Sequence, residues 1–142
     1  MSLSDYSDLE TEIADAEEPK VLPAGTEVKA RIINVLTGIS ESERFNGCTW
    51  YQVLFDVPDN PMVIEFNDFF WDLDRELLDA KSYSRSLYQF QQFAAAFGID
   101  YSKPFSWTDD LVGKEGWMIV GLGKDDPEYG RKNTVKKYVV PK

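Results

Sequence analysis

From Glu27 the chain alternates between apolar and polar positions. Val28, Ala30 and Ile32 fall on one side and Lys29 and Arg31 on the other, the two-residue period of a half-buried strand. The alternation slips after Ile32-Ile33, where Val35 and Leu36 are both apolar, and that slip predicts a long first strand bent by a bulge. A second alternating run covers Cys48 to Val57. Tyr51, Val53, Phe55 and Val57 share one face, and Trp50, Gln52, Leu54 and Asp56 the other. Pro58-Asp59-Asn60-Pro61 predicts a tight turn. A third strand follows to about Phe70, with Met62, Ile64 and Phe66 on one face.

The period then changes. Leu87, Phe90, Ala94 and Phe97 are three and four residues apart, with Phe93 adjacent, which predicts an amphipathic helix. Ser82 or Ser84 is the expected start cap and Gly98 the stop. Thr108 to Leu111 predicts a further short helical turn. Two strands end the chain, Glu115 to Leu122 and Asn133 to Val140. In the last of them Lys136 and Tyr138 share a face and Val135, Lys137 and Val139 the other; the two valines are expected in the core, which leaves Lys137 near the barrel end. Three strands, a helix and two strands predict a mostly-β fold, a five-stranded Greek-key OB barrel with a helix between strands 3 and 4. A small β-sandwich with an inserted helix is the competing architecture, and the position of the helix favours the barrel.

Residues 1–20 follow no such pattern. They hold seven acids against Lys20, a net of −6, and few large apolar groups, so they cannot bury enough surface to offset the entropy of ordering. They are expected to form an acidic flexible arm without stable structure, and helix over Asp8 to Ala16 is not expected to persist. Leu22-Pro23-Ala24-Gly25 marks a turn at the start of the domain, 21–142. The whole chain of 142 residues carries −10, but from Tyr129 onward there are five cations and no acid. Charge is therefore segregated, acidic first and basic last.

Composition narrows the chemistry. The chain has no histidine, which removes the commonest general base and zinc ligand, and its one cysteine, Cys48, allows no intrachain disulfide. A non-catalytic module without a metal is expected. The acidic run Asp68, Asp72, Asp74 and Glu76 matches no metal-loop spacing and reads as a solvated loop with aromatic packing. Gly121-Leu122-Gly123-Lys124 fails the phosphate-loop spacing. No apolar run approaches the roughly 18 residues of a membrane span and the N-terminus lacks a signal-peptide layout, so the expected location is cytoplasmic, away from membranes.

Two constellations suggest binding. If Tyr51, Val53 and Phe55 face the core, the strand period turns Trp50 outward in the middle of strand two, where OB folds hold their ligand and aromatic faces stack on bases. Lys29, Arg31 and Arg44 are expected to bring positive charge beside it. The second constellation is the last hairpin, where Lys124, Tyr129, Arg131, Lys132 and Lys136 make a basic loop with one aromatic.

Several segments support a family reading: Leu22-Pro23-Ala24-Gly25-Thr26-Glu27-Val28, the helix Leu87 to Gly98 ending in Ala-Phe-Gly, Leu111-Val112-Gly113-Lys114-Glu115-Gly116, and Tyr129-Gly130-Arg131-Lys132-Asn133-Thr134-Val135. With them the chain resembles small phage-encoded OB-fold single-stranded-DNA-binding proteins. The resemblance implies a replication or recombination accessory that coats single strands without reading sequence, and it implies no cofactor. It places the binding groove on Trp50, Lys29, Arg31, Tyr129, Arg131 and Lys132. Many such proteins end in an acidic tail that recruits partners and competes for the groove. Here the C-terminus is basic and the acidic tract comes first, so the arm is the expected competitor and the expected contact for replication proteins. A protein–protein adaptor using that arm is the alternative reading. A carboxylate-based, metal-dependent enzyme is the weakest.

Overall fold

A single strand organises the molecule. In the computed structural model, which describes residues 2–124 and 130–141, β1 (Glu27–Ile39) is 13 residues long and serves two partners. Its first part pairs antiparallel with β4 (Glu115–Leu122), from Glu27↔Ile119 to Arg31↔Glu115. Its second part pairs with β2 (Thr49–Asp56), from Arg31↔Asp56 to Ile39↔Thr49. The register shifts between Ile32 and Asn34, where the alternation slipped, and the bulge turns the strand from one partner to the next.

β2 pairs with β3 (Phe66–Trp71) and β4 with β5 (Asn133–Tyr138), all antiparallel, giving the order β3-β2-β1-β4-β5. The two outer strands approach each other across the remaining gap, where the Tyr138 hydroxyl donates to Asp68 Oδ2 at 2.5 Å. The result is a nearly closed five-stranded antiparallel barrel of OB type, with the long helix α2 (Ala80–Phe97) inserted between β3 and β4.

Inward residues of every strand fill the barrel: Ala30, Ile32 and Val35 from β1, Val53 and Phe55 from β2, Phe66 and Phe70 from β3, Met118 and Val120 from β4. α2 adds Phe90, Phe93, Ala94 and Phe97. The Phe93 ring lies 4.7 Å from Phe70 and 5.4 Å from Tyr138. Close approach of α2 to β4 requires Gly116, since a Cβ there would stand 2.6 Å from the Ala96 carbonyl oxygen. Asp79 caps α2 by accepting from Ser82 N at 2.8 Å, so the cap lies ahead of the expected Ser82 or Ser84. Gly98, at φ 65°, ends the helix as expected. The short α3 (Trp107–Asp110) begins at Ser106, whose hydroxyl accepts from Asp109 N.

Two expectations are corrected. β3 begins at Phe66 rather than directly after Pro61. Lys20 N donates to Met62 O and Ile64 N donates to Lys20 O, a parallel bridge that buries Val63 and leaves Ile64 exposed. In β5 the partners run Ile119↔Lys137 and then Val120↔Val135, so Lys136 is an extra residue. That bulge reverses the inward parity. Tyr138 is buried, and Val135 and Val139 are only half-buried. In the N-terminal arm Ser7–Leu9 forms a 3-10 turn and α1 spans Glu10–Ala14, with no residue of either buried.

Candidate nucleic-acid interface

The strand period sends alternate residues of β1, β2 and β3 to the outside of the barrel. Register aligns them in three cross-strand rows: Gly38–Trp50–Trp71, Leu36–Gln52–Phe69 and Asn34–Leu54–Asn67. None of these nine side chains is charged. The first row holds two tryptophans and the second two partly exposed apolar groups, Leu36 at 43% and Phe69 at 42% of full exposure.

Trp50 lies on this surface, half-buried and held from two sides. Its indole stacks with Phe69 at 5.9 Å and 26°. It also crosses Gly38 so closely that a Cβ at residue 38 would come within 2.5 Å of the ring. Phe69 meets Trp71 edge-on at 4.9 Å, and Phe45 stacks on Trp71 at 4.5 Å. Phe45 arrives from the loop between β1 and β2, which is closed by Ser40 N to Cys48 O and Gly47 N to Ser40 O. The Arg44 guanidinium stands 4.8 Å over the Phe45 ring. Four aromatic rings and one arginine thus form a continuous series at one end of the face.

The expected cations divide. Arg44 reaches this series, and its charge is shared with Asp79 Oδ2 and Ser82 Oγ, each at 3.4 Å. Arg31 is at the β4 end of β1, about 20 Å along the strand from Gly38. It forms a two-point pair with Asp56, Nε to Oδ1 at 3.1 Å and a terminal nitrogen to Oδ2 at 2.5 Å, and the bonded carboxylate raises its pKa. Lys29 pairs across the sheet with the half-exposed Trp117, not with Trp50. Lys124 and Arg131 lie at the base of the β4–β5 loop, where Arg131 Nε donates to Gly123 O at 3.0 Å and Gly123 N donates to Lys132 O. Lys136 is exposed on the β5 bulge, near Gln89 and Gln92 of α2. Tyr129 lies outside the described residues. Of the cations named in advance, the structure brings Arg44 to the aromatic series. The others lie on β1 beside β4 and on the last hairpin.

Phe45, Phe69, Trp71, Leu36 and Gly38 belong to this surface and did not stand out in the sequence. The cause is Asp68. In β3 the inward positions are Phe66, Asp68 and Phe70, and a carboxylate in the middle disguises the alternation that would have turned Phe69 and Trp71 outward. Asp68 is not in a solvated loop. It accepts from Tyr138 Oη, from Gln89 Nε2 at 3.3 Å and, through Oδ1, from Phe69 N at 3.0 Å. Burial raises its carboxyl above the ordinary carboxylate value, against the opposing pull of these hydrogen bonds. Burial, with the Asp68 charge beside it, also holds the Tyr138 phenol well above its usual value. Among the described residues no group of three or more Asp, Glu or Cys is placed to hold a metal ion, and no helix is long and apolar enough to cross a membrane.

No protein-family model matches the chain, and no curated protein sequence matches it either.

Proposed function

We propose that this chain binds single-stranded DNA without strong sequence preference on the outer face of β1, β2 and β3. The observation that carries the reading is the uncharged aromatic platform, in which Trp50 rests on Gly38 and Phe69 and the series continues through Trp71 and Phe45 to Arg44. Every base has a π-face, so stacking of this kind tolerates any sequence and supplies about 1–3 kcal/mol per base. Asn34, Gln52 and Asn67 add donors and acceptors that base edges can use. OB folds place their ligands on this surface. The resemblance to phage single-stranded-DNA-binding proteins supports the same reading. It adds the role of a replication or recombination accessory in the host cytoplasm, acting without a cofactor and not as an enzyme.

Titration with oligo(dT), read by intrinsic tryptophan fluorescence, tests the proposal, beside gel shifts with single-stranded DNA, duplex DNA and RNA at two salt concentrations. Quenching that saturates with single strands and weakens in Trp50→Ala and Phe69→Ala is expected. No fluorescence response and no shift with any nucleic acid would remove the assignment. The adaptor reading would then stand, since the net charge of −10 and the exposed Leu3, Tyr6, Leu9 and Ile13 of the arm favour a protein partner.

A further inference from the structure

A groove of about 1020 Å³ lies away from the sheet face, between α2 and the segment 99–107. Tyr51 and Trp107 form its floor, stacked at 4.3 Å with their planes 5° apart. Phe105 packs on Phe90 at 6.0 Å along one wall. Leu87, Tyr88 and Tyr101 stand at the rim with 41%, 65% and 61% of their surface exposed. The two charged residues of α2 are both cations, Lys81 and Arg85, and they share the helical strip of Ser84 and Tyr88. Lys103 is the cation of the lining itself, with Asp72 as its acid.

The N-terminal arm has complementary chemistry. Over its 3-10 turn and α1, Tyr6, Leu9 and Ile13 recur at the i, i+3, i+7 spacing of a groove-binding helix, and all three are exposed. Asp8 takes the opposite side, Glu10 and Glu12 flank the strip, and the segment carries no cation before Lys20. Among the described residues none of the arm is buried in its own chain. Its tether also stands at the wrong end. Lys20 bridges Val63, which leads into the start of β3, whereas Tyr51 and Asp72 place the groove at the far end of the β2–β3 pair.

We propose that this groove receives the acidic arm of a second copy of the chain. Tyr6, Leu9 and Ile13 enter the aromatic channel, and the surrounding carboxylates meet Lys81, Arg85 and Lys103. The contact is heterologous, one copy's arm against the next copy's groove, so it links copies in a row or closes a pair by mutual exchange. It leaves the sheet face free.

Sedimentation velocity of the full chain over a wide concentration range tests the proposal with two surface variants, Ile13→Asp in the arm and Leu87→Asp at the rim. Both positions are exposed, so neither change disturbs the core. Concentration-dependent association of the unaltered chain is expected, weakened on the order of tenfold or more in each variant. Mixing the two variants is expected to restore association, because one supplies an intact groove and the other an intact arm. A chain that stays monomeric throughout would overturn the proposal. So would association that both variants leave intact, or a mixture that associates no better than its components. A synthetic peptide of residues 2–19 that quenches tryptophan fluorescence of the Ile13→Asp chain, while the unaltered chain stays monomeric, would show the arm binding its own groove and would equally overturn it.

Discussion

Gly38→Ala adds one methyl group and, on the reasoning above, should cost DNA affinity without unfolding the protein. The new Cβ would lie 2.5 Å from Trp50 Cζ2, 2.8 Å from Cε2 and 3.1 Å from Nε1. Carbon atoms in contact rest at about 3.5–4.0 Å, so the ring must retreat by about 1 Å or more. It has room to do so, because the residue faces outward and solvent lies beyond the indole. The stack on Phe69 and the position offered to a base are lost together. If one base uses that position, the loss is about 1–3 kcal/mol, or about 5- to 150-fold in dissociation constant. Stability should change by less than about 1 kcal/mol, because Ala costs the strand less entropy than Gly and no core atom moves. Oligo(dT) titration gives the first quantity and urea denaturation the second, and a red shift of tryptophan emission reports that the ring has moved. A displaced indole with unchanged affinity would refute the claim that the platform is where bases stack.

Gly116→Ala makes the same chemical change against backbone rather than against a movable ring: its Cβ would meet the Ala96 carbonyl oxygen at 2.6 Å and the Phe97 ring at 2.9 Å. α2 must shift from β4, and urea denaturation should show a loss of about 1–3 kcal/mol. Asp68 has a folded pKa above its unfolded value of about 3.9, so between those two values the folded state holds a proton that the unfolded state has released. Stability from this group therefore falls as pH rises through that window. Asp68→Asn should remove that part of the pH dependence, and denaturation curves from about pH 4 to about pH 8 check it. Tyr138→Phe deletes a hydrogen bond to the charged carboxylate, which should cost about 1.5–3 kcal/mol at neutral pH and push the Asp68 titration further up. Of the seven cations named from the sequence, Arg31 and Arg44 already face carboxylates, so a bound single strand should engage at most about five phosphates, a salt slope no steeper than about −3.5. Deleting residues 2–18 removes seven carboxylates and takes the net charge from −10 to −3, so binding should tighten, most at low salt. A slope twice as steep, or an affinity indifferent to the deletion at low salt, would contradict this electrostatic account.

The barrel was legible because its information is local. A two-residue period specifies which face of a strand is buried wherever one face meets the core, and Val53, Phe55, Ala30 and Ile32 follow it without exception. The slip after Ile32-Ile33 announced a bulge for the same reason, since an extra residue must interrupt the alternation. What escaped depended on distant partners. Val63 is buried because Lys20, far away in sequence, pairs beside it. Tyr138 points inward because the opposing strand leaves Lys136 unmatched. Nothing within either segment marks these choices.

The candidate site shows the same division between local and distant information. Trp50 could be turned outward from its own strand alone. Phe69 and Trp71 could not, because an acid in the interior between Phe66 and Phe70 broke the pattern that reveals them. Summed charge was the least informative property, since it adds surfaces that act separately. Arg31 and Arg44 read as free cations in the sequence, yet each faces a carboxylate contributed by another element, Asp56 and Asp79. The acids of the arm stand on a segment that buries nothing in the barrel. Between these regions the three cross-strand rows of β1, β2 and β3 centred on Trp50, Gln52 and Leu54 carry no charge of either sign. On the proposed reading, an overall negative chain presents a surface that bases approach, and attraction to it comes chiefly from rings and amides rather than from phosphate contacts.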